Sequence, residues 1–493
     1  MITYVVVFAV YLSIMVGIGF KFYNKTDNLG DYLLGGRSLG SWLTALSAQA
    51  ADMSGWLLIG LPGTAYILWV GTSEAIWTAV GLILGTYLNW LFVAKKLRKY
   101  TEISGNSITL PDFFENRFKD SKHILRIVSA VFIVVFFLVY TSSQFSAAAK
   151  LFSTVFGMNY TIGLIIGAVV IVSYTALGGF AAVCWTDSIQ GAIMFFALLA
   201  VPFMTTAAIG GMDEISLRLT ALTSETLSFF PMSNGSINGL LLASSLGWGL
   251  GYFGQPHILT RFMAIQSPDM IRKSRHIAMI WVVVTLAAAC AIGVIGKAYA
   301  PDLADGETVF MFIIDALFPD VVAGILLTAI LAAIMSTASS QLLVTASSVS
   351  RDLYALLFKK DVNGKEIVWI SRITVVIIAV IAALIALDAN SSVFALVSCA
   401  WGGLGAAFGP IILFSLFWKR MTLQGAIAGM IAGGVIDLFW YSMKGFGGIF
   451  AIYEIIPGFI AAIIAILAVS LATRVPKEVE SEFEEARKPW AKK

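Results

Sequence analysis

The stretch from Ser41 to Val70, SWLTALSAQAADMSGWLLIGLPGTAYILWV, is long and apolar enough to cross a bilayer, yet it carries a carboxylate, Asp52, near its middle. A charge in a spanning segment costs a few kcal/mol or more unless it faces a polar cavity or a partner, which makes Asp52 a candidate for function. The same stretch holds Ser47, Ser54, Gly55 and Gly60-Leu61-Pro62-Gly63. Glycine is entropically costly in a helix and proline lacks a donor, so the segment reads as a broken helix. In lipid an unwound backbone is tolerated only where it lines a cavity or is buried in protein, and its free carbonyls and amides then become ligands. Composition agrees: 59% hydrophobic and 12% charged residues, with mean hydropathy +0.88, exclude a soluble domain.

Apolar runs of about 20 residues, each able to cross roughly 30 Å of hydrocarbon, recur along the 493 residues, and thirteen spans are expected. The first, 3–20, lacks a basic leader and a cleavage site and is expected to be retained. With the N-terminus outside, 28 of the 32 Lys and Arg residues fall in cytoplasmic loops and the tail. The other four, Lys150, Arg218, Lys297 and Lys444, fall outside, where Asp302, Asp305, Glu307, Asp315 and Asp320 cluster. The positive-inside rule therefore predicts an N-out, C-in plasma (inner) membrane protein. Net charge +3, held in loops, gives no reason to expect nucleic acid, and Cys184, Cys290 and Cys399 lie singly in apolar segments, as small core residues do. The tail, 474–493, mixes both charges and reads as solvated with about one helical turn.

A second interrupted span, Ser245-Leu-Gly-Trp-Gly-Leu-Gly-Tyr-Phe-Gly-Gln-Pro-His257, follows the first by five helices. Two Gly/Pro-broken spans at corresponding places point to an inverted-repeat transporter with its site between the breaks. The repeats would be 41–210 and 236–418, with 1–40 and 422–473 peripheral, all in one transmembrane domain. Gly249-Leu-Gly-Tyr-Phe-Gly254 matches a dinucleotide pattern by letters, but no strand precedes it, and it is set aside. Glycines of spanning helices also serve close packing. A third cluster lies in the ninth span, 321–350, where Ala333, Ser336, Thr337 and Ser340 share one face. Neutral oxygens suffice for a singly charged cation, although Ser and Thr in such helices also bond back to their own backbone.

Several motifs together carry a resemblance: Gly35-Gly-Arg-Ser-Leu-Gly40, SAQAADMSGWLLIGLPG, TLPDFF at 109–114, GGFAAVCWTDSIQ at 178–190, GWGLGYFGQPHI at 247–258 and STASSQL. In this order, over nearly the whole chain, they resemble the sodium/solute symporter family, and most of all its proline-carrying branch. The resemblance implies an all-α five-plus-five inverted repeat of the leucine-transporter type. It further implies uptake of L-proline, coupled to one or two sodium ions, by alternating access. Matched position by position, the sodium site would use the carbonyls of Ala50, Met53 and Ala333 and the hydroxyls of Ser336 and Thr337. Asp52 matches an aspartate critical for sodium, supplying field strength or holding the unwound backbone. The solute side would be Ser54, Gly55, Tyr140, Trp248, Tyr252 and Pro256. Members with a second sodium site use residues matching Asp187, Ser336, Ser339 and Ser340; Asp187 also suits a helix cap or a partner for a loop arginine.

Of the remaining polar residues, Arg37 matches a position linked to sodium-dependent uptake, and is equally a positive-inside arginine. Asp437 suggests structural pairing or an interface role, His257 a hydrogen bond near the cytoplasmic mouth, and Gln144 and Lys150 the outer end of the fourth span. No convergent catalytic groups and no Walker sequence favour an enzyme, and no cofactor beyond sodium as coupling ion is expected. A carrier of another carboxylate, amino acid or sugar would share the sodium residues. A sodium channel would lack two unlike broken helices in one chain.

Overall fold

The apolar runs fold as helices because lipid offers no partner for a free amide or carbonyl, so each segment must satisfy its own. A computed structural model describes residues 2–23, 29–68, 70–222, 228–233, 235–358, 364–389 and 391–490. Of the basic residues counted above, Lys25, Lys359, Lys360, Lys492 and Lys493 lie outside these. The chain begins with α1 (Ile2–Tyr23), α2 (Leu29–Leu34), α3 (Ser41–Gly55), α4 (Leu61–Tyr66), α5 (Val70–Leu88), α6 (Ala94–Ile103) and α7 (Leu110–Phe118). Then come α8 (Ile124–Phe156), α9 (Tyr160–Ile209), α10 (Met212–Ala221), a hairpin β1 (Met232–Ser233) and β2 (Ser236–Ile237), α11 (Gly239–Gly247), α12 (Pro256–Ala264) and α13 (Ile271–Tyr299). The rest is α14 (Val309–Leu317), α15 (Asp320–Ser347), α16 (Ala355–Phe358), α17 (Gly364–Ile385), α18 (Val393–Phe417), α19 (Leu423–Met443), α20 (Ile455–Ala472) and α21 (Lys477–Arg487).

Ten helices among the described residues are long and apolar enough to cross a membrane. The other three expected spans fall on the two interrupted segments, α3–α4 and α11–α12, and on the shorter apolar run Tyr160–Ser173, none of which is a single helix of that length and apolarity among the described residues. Helix α9 turns at Gly179 (φ 61°), against which the Tyr32 ring packs so closely that a Cβ would lie 3.0 Å from it. Short polar side chains start the helices: Thr109 accepts from Asp112 N–H (3.1 Å), Asn238 from Leu241 N–H (3.2 Å) and Thr422 from Gly425 N–H (3.1 Å). Each such cap is worth about 1 kcal/mol. Glycines let the peripheral pair close: a Cβ on Gly425 or Gly429 would fall 2.0 or 2.4 Å from side chains of α20, the close approach that small residues four apart permit.

The core is formed by α3, α8, α9, α15 and α18, whose polar residues are buried with the apolar ones. Helix α15 is buried at every residue from Leu326 through Ser347, so a spanning helix is here surrounded by protein and its hydroxyls face other helices.

The tail departs from the expected solvated turn. Helix α21 is 11 residues long and docks: Val479 and Phe483, one turn apart, are buried, and the Phe483 ring lies 6.2 Å from that of Tyr100. Between them sits Arg117, fully buried, with its guanidinium 5.2 Å from each ring centroid. That burial pushes the Arg117 guanidinium below its ordinary range. Lys119 pairs with Glu482 and Lys419 with Glu484 (3.7 Å), so both faces of the short helix are held.

Candidate functional site

The first break forms where α3 ends. Ser54 takes φ 52° and ψ −174°, a backbone conformation that costs an ordinary residue on the order of 1–3 kcal/mol. Its neighbours meet that cost with hydrogen bonds: Gly55 N–H donates to Gln144 Oε1 (3.0 Å) and Trp56 N–H to Ser54 Oγ (3.0 Å). A π-helical turn, Trp56–Gly60, then leads into α4. Gln144 is thus fully buried at the centre, not at the outer end of its helix, because α8 continues twelve residues beyond it to Phe156.

The second break is built differently. Between α11 and α12 the chain runs as a 3-10 turn, Trp248–Gly254, with Gln255 extended. Glycine is required here by backbone approach: a Cβ on Gly249 would lie 2.2 Å from Gly81 O, and one on Gly254 2.5 Å from Leu404 O. The freed carbonyls are taken by side chains: Asn89 donates to Tyr252 O (2.9 Å) and Trp401 Nε1 to Trp248 O (2.8 Å). Gln255 donates in turn to Trp401 O (3.1 Å).

The two breaks meet at Asp52. Its carboxylate, 4% exposed, accepts from Tyr252 OH (2.5 Å), and its carbonyl accepts from Tyr140 OH (3.3 Å). Trp56 stacks on Trp248 (5.4 Å), Trp248 lies tilted against Phe394 (5.1 Å), and Tyr252 stands edge-on to Trp401 (5.1 Å). The cavity bounded by Asp52, Tyr140, Trp248, Tyr252 and Trp401 measures about 10 Å³, barely one water. In this conformation the aromatic box is closed on itself.

On the opposite side of α3 the oxygens converge. Ser336 Oγ lies 2.7 Å from Ala50 O and 3.1 Å from Ala333 O, and Thr337 Oγ1 lies 3.4 Å from Ala50 O. The structure therefore gathers Ala50, Ala333, Ser336 and Thr337. Met53 O accepts from Trp56 N–H and belongs to the helix end, while Asp52 points to the aromatic side. Of the solute-side residues, Tyr140, Trp248 and Tyr252 line the central cavity, whereas Ser54 and Gly55 shape the break. Pro256 starts α12 and borders a separate cleft with Phe180 and Leu343.

Asp187 meets an arginine, one of the partners its sequence context suits, but a buried one. Its Oδ2 accepts from Ser47 Oγ (2.7 Å) and from Arg261 (3.0 Å), which also donates to Ser340 Oγ (2.5 Å), Ser47 Oγ (3.1 Å) and His257 O (2.7 Å). Arg261 is buried because α12 runs to Ala264 instead of ending at 260, so it is a core residue and not a loop arginine. Asp187 Oδ1 has no hydrogen-bond partner among the described residues, while Ser339 Oγ donates to Ser336 O (3.1 Å). His257 is fully buried against the rings of Phe137 and Tyr140, and its ring nitrogens make no hydrogen bond among the described residues. Asp437 and Glu454 are likewise buried, with Lys444 at 2.5 Å from Glu454.

Arg37 caps the end of the second broken segment. It donates to Met263 O (2.6 Å), Ser107 O (2.8 Å), Asn106 Oδ1 (3.1 Å) and Thr101 Oγ1 (3.2 Å). Burial, helped by the neighbouring Arg98 charge, lowers its pKa to about 10. At the other face Glu307 accepts from Lys150 (2.6 Å), Ser392 Oγ (2.9 Å) and the N–H groups of Val393 (3.3 Å) and Phe394 (3.2 Å). A Cβ on Gly63 would fall 2.9 Å from the Glu307 backbone, so the segment that follows the first break presses on the same point.

A family model described as the sodium:solute symporter family matches residues 32–433. The chain is 46% identical over 490 residues to a sodium/proline symporter of Escherichia coli (strain K12), covering 98% of this chain and 95% of that protein. It is 46% identical over 472 residues to the high-affinity proline transporter PutP of Bacillus subtilis (strain 168), covering 95% and 98%, and 45% identical to the osmoregulated proline transporter OpuE of the same organism, covering 95% and 94%. Among solved structures, a substrate-bound outward-open Na+-coupled sialic acid symporter superposes with TM-score 0.78 at 21% identity, over 96% of this chain and 98% of that one. Mhp1, a nucleobase-cation symporter in a closed conformation, superposes with TM-score 0.56 at 12% identity, over 92% and 98%.

Proposed function

The chain belongs to the sodium:solute symporter family, and on that footing we propose that it imports L-proline together with sodium by alternating access. The fold is the five-plus-five inverted repeat of a multi-pass membrane transporter, and the activity is transport, not enzymatic turnover. One observation carries the mechanism. Ala50 O, on which the Ser336 and Thr337 hydroxyls converge, lies two residues from Asp52, whose carboxylate holds Tyr252 of the aromatic box. Ion ligands and solute pocket share one strained stretch of backbone.

Sodium is the coupling substrate. Its ligands are Ala50 O, Met53 O and Ala333 O with Ser336 Oγ and Thr337 Oγ1, oxygens of the hard, neutral kind that a monovalent cation accepts. Bound there, it orders the helix break against α15. Asp52 contributes field strength and sets Tyr252. Proline packs its ring among Tyr140, Trp248 and Tyr252, with its carboxylate toward the amides at Ser54 and Gly55, a half-helix start. Pro256 fixes where α12 begins. Because sodium orders the break that forms the pocket, each ligand raises the other's affinity by the same factor. A second, weaker sodium would use Asp187 Oδ1 with Ser336, Ser339 and Ser340, Arg261 holding the other carboxylate oxygen.

The repeats run over 41–210 and 236–418, with 1–40 and 422–473 outside them and 474–493 as the tail. The orientation that the positive loops favour has Arg37, α7 and α21 in the cytoplasm and the N-terminus outside. Uptake of radiolabelled proline into proteoliposomes tests the reading. Uphill accumulation with an inward sodium gradient, absent when potassium replaces sodium, is expected. Sodium-driven uptake of a different solute only would overturn the substrate and leave the ion site standing.

A further inference from the structure

Two clefts outside the transport path meet on one continuous helical run. Leu88 and Phe92, 38% and 46% exposed, face an apolar groove of about 550 Å³ that Phe253, Phe414, Phe417 and Leu467 complete. One turn further along, Lys95, Lys96 and Lys99 face a second cleft of about 610 Å³, closed from the other side by Arg487, Lys488 and Trp490 of the tail. The clefts join where Lys96 Nζ sits 3.6 Å from the centroid of the Phe417 ring.

The second cleft is charged beyond its own needs. Its single carboxylate, Asp269, is taken by Lys95 (3.1 Å), and Lys99 donates to the carbonyl of Lys488. Lys96, Arg487 and Lys488 make no ion pair among the described residues. The apolar groove lies on the lipid-facing side of the bundle, as the exposure of Leu88, Phe92 and Phe417 requires of a chain in a bilayer.

We propose that this composite cleft binds one anionic diacyl phospholipid, its acyl chains in the apolar groove and its phosphate among Lys96, Arg487 and Lys488. The occupant follows from complementarity of both parts at once: a free anion leaves the groove uncovered, and a zwitterionic lipid leaves the cations unmatched. The placement rests on the cytoplasmic orientation of α6 and α21 proposed above, the leaflet where anionic headgroups gather. Since two of the three cations come from the segment at and after the end of α21, the lipid fastens the tail against α6 and thereby against Arg98, whose guanidinium lies 5.6 Å from the Trp490 ring and holds Ile265 O (2.6 Å) beyond the second broken segment.

The test is native mass spectrometry of the full, delipidated chain offered equal amounts of phosphatidylglycerol and phosphatidylcholine with identical acyl chains. Phosphatidylglycerol is expected to be retained roughly a hundredfold over phosphatidylcholine, with the preference falling about fivefold for each of Lys96→Gln and Arg487→Gln. Lys96→Arg keeps the preference, and Phe92→Ser weakens both lipids alike. Equal retention of the two lipids, a preference unmoved in the double glutamine variant, or displacement of phosphatidylglycerol by millimolar inorganic phosphate overturns the proposal. Both charged positions are exposed, so their replacement spares the fold. The readout involves no transport, and its failure leaves the proline reading intact.

Discussion

The two broken helices solve the same problem in opposite ways. At the first, a serine adopts a costly backbone geometry, offset by hydrogen bonds that the next two amides donate to Gln144 and to the serine's own hydroxyl. At the second, glycines remove the steric objection and neighbouring backbones come within contact, with Asn89 and Trp401 collecting the loose carbonyls. A break held by polar side chains can be tightened or loosened by a small ion. One held by backbone contact resists local adjustment and moves with the helices it touches. The first break is therefore the responsive element and the second the rigid frame of the aromatic pocket, joined through the Tyr252–Asp52 hydrogen bond.

The largest expected effect tests the rigid side. In Gly251→Ala the new Cβ would stand 1.9 Å from Trp401 Nε1, while in Gly55→Ala the nearest atom is the Ala147 Cβ at 2.9 Å. The first should cost about 3 kcal/mol and the second about 1 kcal/mol. Thermal unfolding of the two purified variants checks this, and equal losses would break the distinction. Next, Asp52→Asn should raise the half-saturating sodium concentration on the order of tenfold to a hundredfold, the scale of a hydrogen bond to a charged group, with a smaller change in proline affinity at saturating sodium. An unchanged sodium activation curve would remove Asp52 from ion handling. Tyr252→Phe, which cuts the link while keeping the ring, should weaken sodium and proline together by about tenfold; a change in proline alone would mean the breaks act separately. The smallest change is expected for the hydroxyls. Ser336→Ala should raise the sodium requirement about fivefold, and Thr337→Ala less, since its oxygen is 3.4 Å from Ala50 O against 2.7 Å.

What could be read before the structure was whatever is locally expensive. A carboxylate in an apolar run, glycines and a proline inside a span, and three hydroxyls on one face each carry a cost that a single segment displays. Asp52, both breaks and the α15 strip were legible for that reason. Arg261, Trp401 and Gln144 were not, because each is explained by a partner far along the chain. Arg261 reads as one more basic residue until Asp187 and Ser340 close around it, and Gln144 stands only six residues before Lys150, whose charge suggested water nearby. Lys150 instead reaches Glu307 and Asp305. The tail did carry a signal, Val479 and Phe483 four apart, but charge around them favoured solvent, and only the buried Arg117 and Tyr100 show what that face covers.

Glu307 has a consequence for how strictly the carrier keeps its two cargoes together. One carboxylate group serves Lys150 on α8, the Ser392 hydroxyl and two amides at the start of α18, while its backbone bears on Gly63 beyond the first break. Withdrawal of any one of these elements removes part of the acid's hydrogen bonding and leaves the rest to the others. On the orientation proposed above this point faces outward, where opening would have to shift these elements together, an arrangement that works against slippage, the wasted inward drip of sodium without its passenger.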